Sequence, residues 1–142
     1  MLFIASAAFT EQPTSGIFII KKPSKKDPCE QQLKMLIGSK RVCILKEPIV
    51  KIDELEYVTD ILYDQLIRCN YIDLGLSAAS VNTLNQTNTL LPNSEFALVV
   101  NDDVICIFKI DGGIKTRYLR IGQDLDIKGL MIVHDALGQV RF

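Results

Sequence analysis

The chain has 142 residues, of which 48% are hydrophobic and 23% are charged, and 16 basic and 17 acidic side chains give a formal net charge of -1. A chain of this length and composition is typical of one ordinary globular domain that buries roughly two-thirds of its unfolded surface, which excludes a disordered or fibrous class. The absence of a basic excess argues against a nucleic-acid partner, and no run approaches the roughly 20 apolar residues that span a bilayer, so no transmembrane segment is predicted.

The N-terminus is apolar and rich in small residues, reading MLFIASAAFT. Ala5 and Ala7 are spaced as in a signal-peptide cleavage site, although no basic segment precedes the apolar run. We interpret residues 1–12 as the remnant of a secretory signal or a flexible N-terminus, with a short first strand as the alternative. The remaining residues, 13–142, are predicted to form a single domain.

The first elements are a strand and a helix. The β-branched and aromatic run Ser15–Lys22 predicts a strand that ends at Pro23. After a lysine-rich loop, Asp27 and Pro28 have the order of an N-cap and a first helical residue, and Gly38 is a typical stop. A short helix is therefore predicted between them. Its apolar face consists of Leu33, Leu36 and Ile37.

Three further strands are predicted in the middle of the chain. Arg41–Lys46 indicates a strand that Pro48 interrupts or confines to an edge. The pattern after it is ambiguous between helix and strand, and we favour a helical turn over Asp53–Glu56 followed by a strand. Ile72–Leu76 alternates apolar and non-apolar residues and predicts a half-buried strand. Its core-facing residues are Ile72, Leu74 and Leu76.

The second half contains a helix and a hairpin. Ser77 is positioned to cap a helix from Ala78 to about Leu90. Two β-rich runs on either side of Asn101-Asp102-Asp103 predict a β-hairpin. Gly112-Gly113 predicts a further turn. The last expected elements are strands at Lys115–Ile121 and Asp124–Lys128 and a helix after Gly129.

These elements define the predicted fold class as α+β. A mixed or antiparallel sheet that includes the hairpin is expected, with two to three helices packed on one face.

The four cysteines, Cys29, Cys43, Cys69 and Cys106, lack the C-x-x-C spacing of a zinc or redox site. In an oxidising compartment three complete pairings exist, and we favour a disulfide between Cys29 and Cys43 because the segment between them is short enough to fold back. Cys106 lies inside an apolar run and is expected to be an ordinary core residue.

No residue pattern indicates catalysis or a bound cofactor or metal. His134 is the single histidine, and on a predicted helix it is typical of a boundary residue, since a metal site needs three or four donors. Gly112-Gly113 lacks the motif of a phosphate-binding loop, and Asn85-Gln86-Thr87 is a glycosylation sequon in form only. Acidic residues cluster in three places that we interpret as solvated charge and turns: Asp53/Glu54/Glu56, Asp102/Asp103 and Asp124/Asp126.

Four segments resemble the head region of the first periplasmic domain of SecD, the accessory subunit of the bacterial protein translocase. In chain order they are Lys46–Val50, Ile72–Ser80, the hairpin Phe96–Ile105 and Ile127–Gly129, so the resemblance extends from about residue 46 to residue 137. The segment before Lys46 has no counterpart in that family. SecD carries proton-conducting transmembrane helices, whereas none is predicted here, so energy coupling is not carried over.

The resemblance implies a stand-alone, secreted or lipid-anchored, non-catalytic bacterial module that is periplasmic or otherwise extracytoplasmic. Membrane association is expected only through an anchor or a partner. The SecD head has no catalytic residues, and its implied role is contact with unfolded, translocating polypeptide. The expected partner is therefore a polypeptide or an envelope protein. Two alternatives stay open: a structural component that docks a folded partner in an envelope complex, and an enzyme or small-ligand binder in which a pocket brings His134 to an acidic pair.

Overall fold

The computed structural model describes residues 12–140 and residue 142. In that part of the chain ten strands and two helices follow one another, with a 3-10 helix at Ile52–Glu54. The strands are β1 (Gly16–Ile19), β2 (Gln31–Met35), β3 (Arg41–Ile44), β4 (Val50–Lys51), β5 (Leu55–Val58), β6 (Leu62–Asp64), β7 (Cys69–Leu76), β8 (Glu95–Val100), β9 (Asp103–Lys109) and β10 (Tyr118–Ile121), and the helices are α1 (Ala78–Leu90) and α2 (Ile127–Leu137).

Five strands form a small barrel. They belong to a six-stranded sheet with the order β3-β2-β9-β8-β1-β4, in which β2 and β9 are parallel and the other neighbours antiparallel. Beyond β1, Ile20 bridges to Ile44 of β3. The amide of Lys21 donates to the carbonyl of Cys43 at 2.8 Å, and the amide of Leu45 donates to the carbonyl of Ile19 at 3.0 Å. These bonds join the two ends of β3-β2-β9-β8-β1, which we call the barrel.

The barrel interior is filled by aliphatic side chains and one phenylalanine. Successive side chains of a strand point to opposite faces, so β1, β2, β3 and β8 contribute alternate residues to this interior. Strand β9 contributes residues that are three apart, because its register with β8 shifts between them. The buried members are Phe18, Val42, Ile44, Ala97, Val99 and Val104, and the partly buried ones are Ile20, Leu33, Met35 and Ile107.

The remaining strands form a second sheet, which we call the small sheet. Its order is β10-β7-β5, and β6 pairs with the first residues of β7. Strands β5 and β6 lie on the same side of β7, because Thr59 between them still donates its amide to the carbonyl of Asp73 at 3.0 Å. Together with β7 they form one long hairpin whose turn comprises residues 65–68.

The main core lies between the barrel, the small sheet and the helices. The outward residues of β1 and β8 meet the inward residues of β7, and each helix adds leucines. Phe96 and Phe108 stack there with ring centroids 5.6 Å apart. Strands β1 and β8 therefore contact apolar atoms on both faces. Among the core members are Ile17, Leu98, Ile72, Leu74, Leu76, Leu84, Leu130, Val133 and Leu137.

Both helices begin at a side-chain cap. The amide of Ser80 donates to the Ser77 hydroxyl at 3.0 Å at the start of α1, and the amide of Gly129 donates to the Asp126 carboxylate at 2.8 Å at the start of α2. Each bond satisfies an amide that has no partner within the helix. The predicted start of α1 at Ala78 is confirmed, and α2 begins two residues before Gly129.

The fold class is confirmed, as is the hairpin, which is formed by β8 and β9. Asn101 and Asp102 at its turn have φ angles of 49° and 70°. Positive φ angles at both central residues are typical of a type I′ turn, whose twist matches that of the paired strands. The predicted core-facing residues of β7, Ile72, Leu74 and Leu76, are fully buried. The strand is not half-buried as predicted, because the residues between them are buried as well. The expected helical turn at Asp53–Glu56 is a 3-10 helix that begins and ends earlier, and a strand follows it.

The predicted helix between Asp27 and Gly38 is wrong. Residues Gln31–Met35 form β2, with alternating burial, antiparallel to β3 and parallel to β9. A helix this short is marginal in water, whereas the strand gains two neighbours in the sheet. The carboxylate of Asp27 caps no helix and instead accepts from the Lys21 ammonium at 2.7 Å.

The predicted strand at Asp124–Lys128 is also wrong. Asp126 is the N-cap of α2, and the amide of Leu125 donates to the carbonyl of Gly122 in a turn before it. Gly122 has a φ of 84°, and a Cβ on it would lie 2.3 Å from Leu130 Cδ2. The chain must therefore turn closely against α2 at this point. The N-terminal prediction for residues 1–12 falls almost entirely on residues 1–11, which lie outside the described residues.

Candidate functional site

Strand β9 has an edge without a paired strand along most of its length. Strand β2 pairs with it only at Asp103 and Val104. The amide of Leu36 then donates to the carbonyl of Val104 at 2.9 Å, and the chain turns back towards β3 through Gly38, whose φ is 93°. From Cys106 to Lys109, β9 is paired with β8 on one side, and no strand within the described residues pairs with its other side.

A groove of about 490 Å³ lies beside this edge. Residues of β9 line one wall, and the end of β10 with the following turn lines the opposite wall. Most of the lining side chains are apolar. They are Ile105, Cys106, Ile107 and Phe108 on the β9 wall, Arg120, Ile121, Gly122, Gln123, Asp124 and Leu125 on the other, and Met35, Ile37 and Lys40 at the end. We call this feature the β9 groove.

The free thiol in the groove is a poor nucleophile. Cys106 is unpaired and partly exposed, and burial together with the nearby Asp124 carboxylate raises its pKa to about 12. The thiolate, which is the reactive form, is therefore scarce near neutral pH. In this state Cys106 offers the groove a small apolar surface.

Arg120 fixes β10 against β7 and so sets the position of the second wall. Its Nε and Nη2 donate to the two carboxylate oxygens of Asp73 at 2.9 and 3.1 Å, and its Nη1 lies 3.4 Å from Asp64 Oδ2. The hydrogen bond to Asp73 raises the pKa of Arg120, against the opposing effect of desolvation. A bidentate pair of this kind restricts orientation as well as distance.

Two tyrosines complete the surroundings of Arg120. Its guanidinium carbon lies 3.7 Å from the centre of the Tyr71 ring and 5.6 Å from that of Tyr118. Both distances are in the range of cation–π contact. The side chain is thus held by two acids and two rings before any partner binds.

The structure does not gather the candidate catalytic residues into the groove. His134 lies on α2, with Nε2 3.6 Å from Asp60 Oδ1, and Asp60 belongs to none of the three acidic clusters. Of the third cluster, Asp124 lines the groove while Asp126 caps α2.

Local roles account for most of the other acidic residues. Glu54 accepts from the Lys51 amide at 3.0 Å, and Glu56 pairs with Arg117 at 2.8 Å. Asp102 accepts from the Thr14 amide at 2.7 Å. In the part of the chain that is described, no group of three or more histidine, cysteine or acidic side chains could hold a metal ion.

Cys29 and Cys43 form a disulfide, with Cα atoms 5.8 Å apart. This is the pair that the short intervening segment favoured, although that segment folds back as two strands, β2 and β3, and not as a helix. Cys69 and Cys106 are free.

Asn85 has a structural role that the sequence did not reveal. Its Oδ1 accepts from the amide of Ile114 at 2.6 Å, and its Nδ2 donates to the carbonyl of the same residue at 3.0 Å. The side chain therefore holds the loop after β9 against α1.

Comparison with protein-family models, with curated proteins and with solved structures found no match. None of the helices within residues 12–140 is long and apolar enough to cross a membrane.

Proposed function

We propose that the domain is a non-catalytic module that binds extended polypeptide in the β9 groove, as a strand added to β9. The observation that carries the proposal is the open edge of β9 facing an apolar groove. The role is the one implied by the resemblance to the SecD head. An extracytoplasmic location belongs to the same proposal, and the disulfide is compatible with it because disulfides persist in oxidising compartments.

An extended peptide is suited to such an edge for two reasons. The backbone of a sheet edge presents unpaired N–H and C=O groups, which a peptide can satisfy by adding a strand about 4.8 Å away. Alternate side chains of the peptide would then face the apolar lining, which gives preference for sequence. The four residues Cys106–Lys109 offer an edge of roughly 13 Å, enough for about four peptide residues.

The rigid second wall favours this function. Because Arg120 is already held by Asp73, Asp64 and the tyrosines, little ordering remains for a ligand to impose there. Burial of apolar peptide side chains against the partly exposed apolar residues of the groove, Ile107, Phe108 and Leu125, would supply the main favourable free energy.

The test is a titration with a reduced, carboxymethylated unfolded protein, with the same protein in its folded form as a comparison. We expect saturable binding of the unfolded form alone, measured by fluorescence anisotropy. Cys106→Phe should fill the groove and weaken binding by about tenfold or more, because the added ring occupies the ligand's space. Cys106→Ala at the same position should bind as the unaltered protein does.

Circular dichroism must show that both variants are folded. Equal binding by the two variants would show that the groove is not the site. If the unaltered protein binds no unfolded polypeptide, the proposed function is wrong. Binding of a folded envelope protein without affinity for unfolded chains would favour the assembly role instead.

A further inference from the structure

The long hairpin of the small sheet ends in exposed apolar residues. Leu66 is 94% exposed and Ile67 is 55% exposed in the turn, and Leu62 and Tyr63 just before it are 39% and 55% exposed. Arg68 follows directly and is also exposed. We call these five residues the hairpin tip.

The turn holds its aliphatic side chains outward. Asp64 Oδ1 accepts from the amides of Leu66 and Ile67, at 2.8 and 3.4 Å, and Arg68 has a left-handed φ of 53°. The backbone between β6 and β7 is therefore constrained, and the conformation that exposes Leu66 is built into it.

The hairpin tip contains one charged side chain, that of Arg68, while Asp64 lies in the same turn. The other oxygen of Asp64 lies 3.4 Å from Arg120, so this carboxylate already has a cationic partner. Among the described residues no carboxylate oxygen lies within 4.0 Å of the Arg68 guanidinium. Tyr63, on the preceding strand β6, adds an exposed amphipathic ring to the tip.

We propose that the hairpin tip inserts into the surface of a lipid bilayer that contains anionic lipids. The tip is a convex projection, and its four apolar side chains would bury on the order of 400 Å² when fully covered. That is well below the roughly 800 Å² per partner of a specific protein interface, which disfavours a second copy or another protein as the occupant. A bilayer surface needs no complementary shape.

The residue types match the layers of a membrane surface. Leu66 and Ile67 enter the acyl boundary, where apolar surface is removed from water. Tyrosine rings and arginine side chains are favoured at the headgroup level, which Tyr63 and Arg68 would occupy. Arg68 is attracted by the negative surface potential of anionic lipids.

The chain offers a matched control for this test. Leu90 and Leu91, at the end of α1, are also adjacent exposed aliphatic residues, 78% and 49% exposed. The pair Leu66→Ser with Ile67→Ser removes the apolar side chains of the hairpin tip, and the pair Leu90→Ser with Leu91→Ser removes a similar exposed area elsewhere.

Co-sedimentation with vesicles of phosphatidylcholine and phosphatidylserine measures the effect. The tip pair should lower the apparent affinity by about tenfold or more, since two buried aliphatic side chains are lost, and the control pair should leave it unchanged. Arg68→Asn, chosen because asparagine tolerates a left-handed backbone, should weaken binding to the mixed vesicles and not to pure phosphatidylcholine. Equal sedimentation of the tip pair and the unaltered protein would overturn the proposal.

A second measurement reports insertion directly. The chain contains no tryptophan, so Leu66→Trp introduces a single indole. Its emission should shift to the blue when vesicles are added, while that of Leu90→Trp should not. An unchanged emission of Leu66→Trp with vesicles, or a shift only with unfolded polypeptide, would show that lipid is not the occupant.

Discussion

The barrel and the small sheet stabilise their strands in different ways. The barrel has an aliphatic interior and a disulfide, and its two ends are joined by backbone hydrogen bonds. The small sheet carries all four tyrosines of the chain, at positions 57, 63, 71 and 118. Its salt-bridged Arg120 lies on the face turned away from the core. In the barrel, backbone hydrogen bonds between the two end strands stabilise the strands. In the small sheet, packed and charged side chains on the outer face do so.

The difference explains where surfaces for partners remain. A closed barrel has no free edge, so an opening arises only where one strand is too short, as β2 is beside β9. An open sheet keeps its edges and its hairpin turn accessible, and the exposed residues of the hairpin tip are found there. Three variants test how far each region depends on its own kind of interaction.

The largest loss of stability is expected in the barrel interior. Phe18 is 1% exposed, so Phe18→Ala should lower the free energy of unfolding by about 4 kcal/mol through lost burial and a cavity. Urea unfolding followed by circular dichroism measures it. Phe142→Ala, at a residue that is 50% exposed, is the control and should have little effect. A small effect of Phe18→Ala would mean that closure, and not packing, stabilises the barrel.

Removal of the disulfide should have the next largest effect. Replacing Cys29 and Cys43 by serine opens a loop with a sequence separation of 14, which should cost about 3 kcal/mol of stability. Cys69→Ser changes a free cysteine and provides the control. Denaturation curves of the three proteins under non-reducing conditions give the comparison. No difference between the double variant and the unaltered protein would contradict a stabilising role for the bridge.

The smallest of the three effects is expected in the small sheet. Arg120→Met leaves the largely buried Asp73 without its cationic partner and should cost about 2 kcal/mol. Arg117→Met breaks a pair whose side chains are 58% and 46% exposed, so its loss should be below about 1 kcal/mol. Asp73→Asn added to Arg120→Met should recover part of the stability. Equal losses for the two arginine variants would show that Arg120 has no special role.

Three elements were predicted correctly from local sequence signals. The alternation at Ile72–Leu76, the cap at Ser77 and the hairpin turn at Asn101-Asp102 were sufficient for β7, α1 and the β8–β9 hairpin. Asp27, Pro28 and Gly38 gave an equally clear helix signal, yet pairing with β3 and β9 prevails there.

Local sequence patterns did not predict the candidate site. The β9 groove exists because β2 ends at Met35, while β9 continues to Lys109, and no local pattern records that difference. Arg120 and Asp73 are 47 residues apart, and Asn85 and Ile114 are 29 apart. Such pairs become visible only when the topology is known, because Arg120, Asp73 and Asn85 are each, taken alone, typical of a solvated surface.

Because a chain is synthesised from its N-terminus, β1 is made long before its partner β8. Ile17 is paired with Leu98, so the first strand has its central neighbour only after roughly 80 further residues have been synthesised, a delay of several seconds at about 5–20 residues per second. During that interval the apolar side chains of β1 remain without their native cover. Such long-range pairing slows folding. Until the C-terminal half of the chain has been synthesised, the apolar residues of β1 depend on other molecules to cover them.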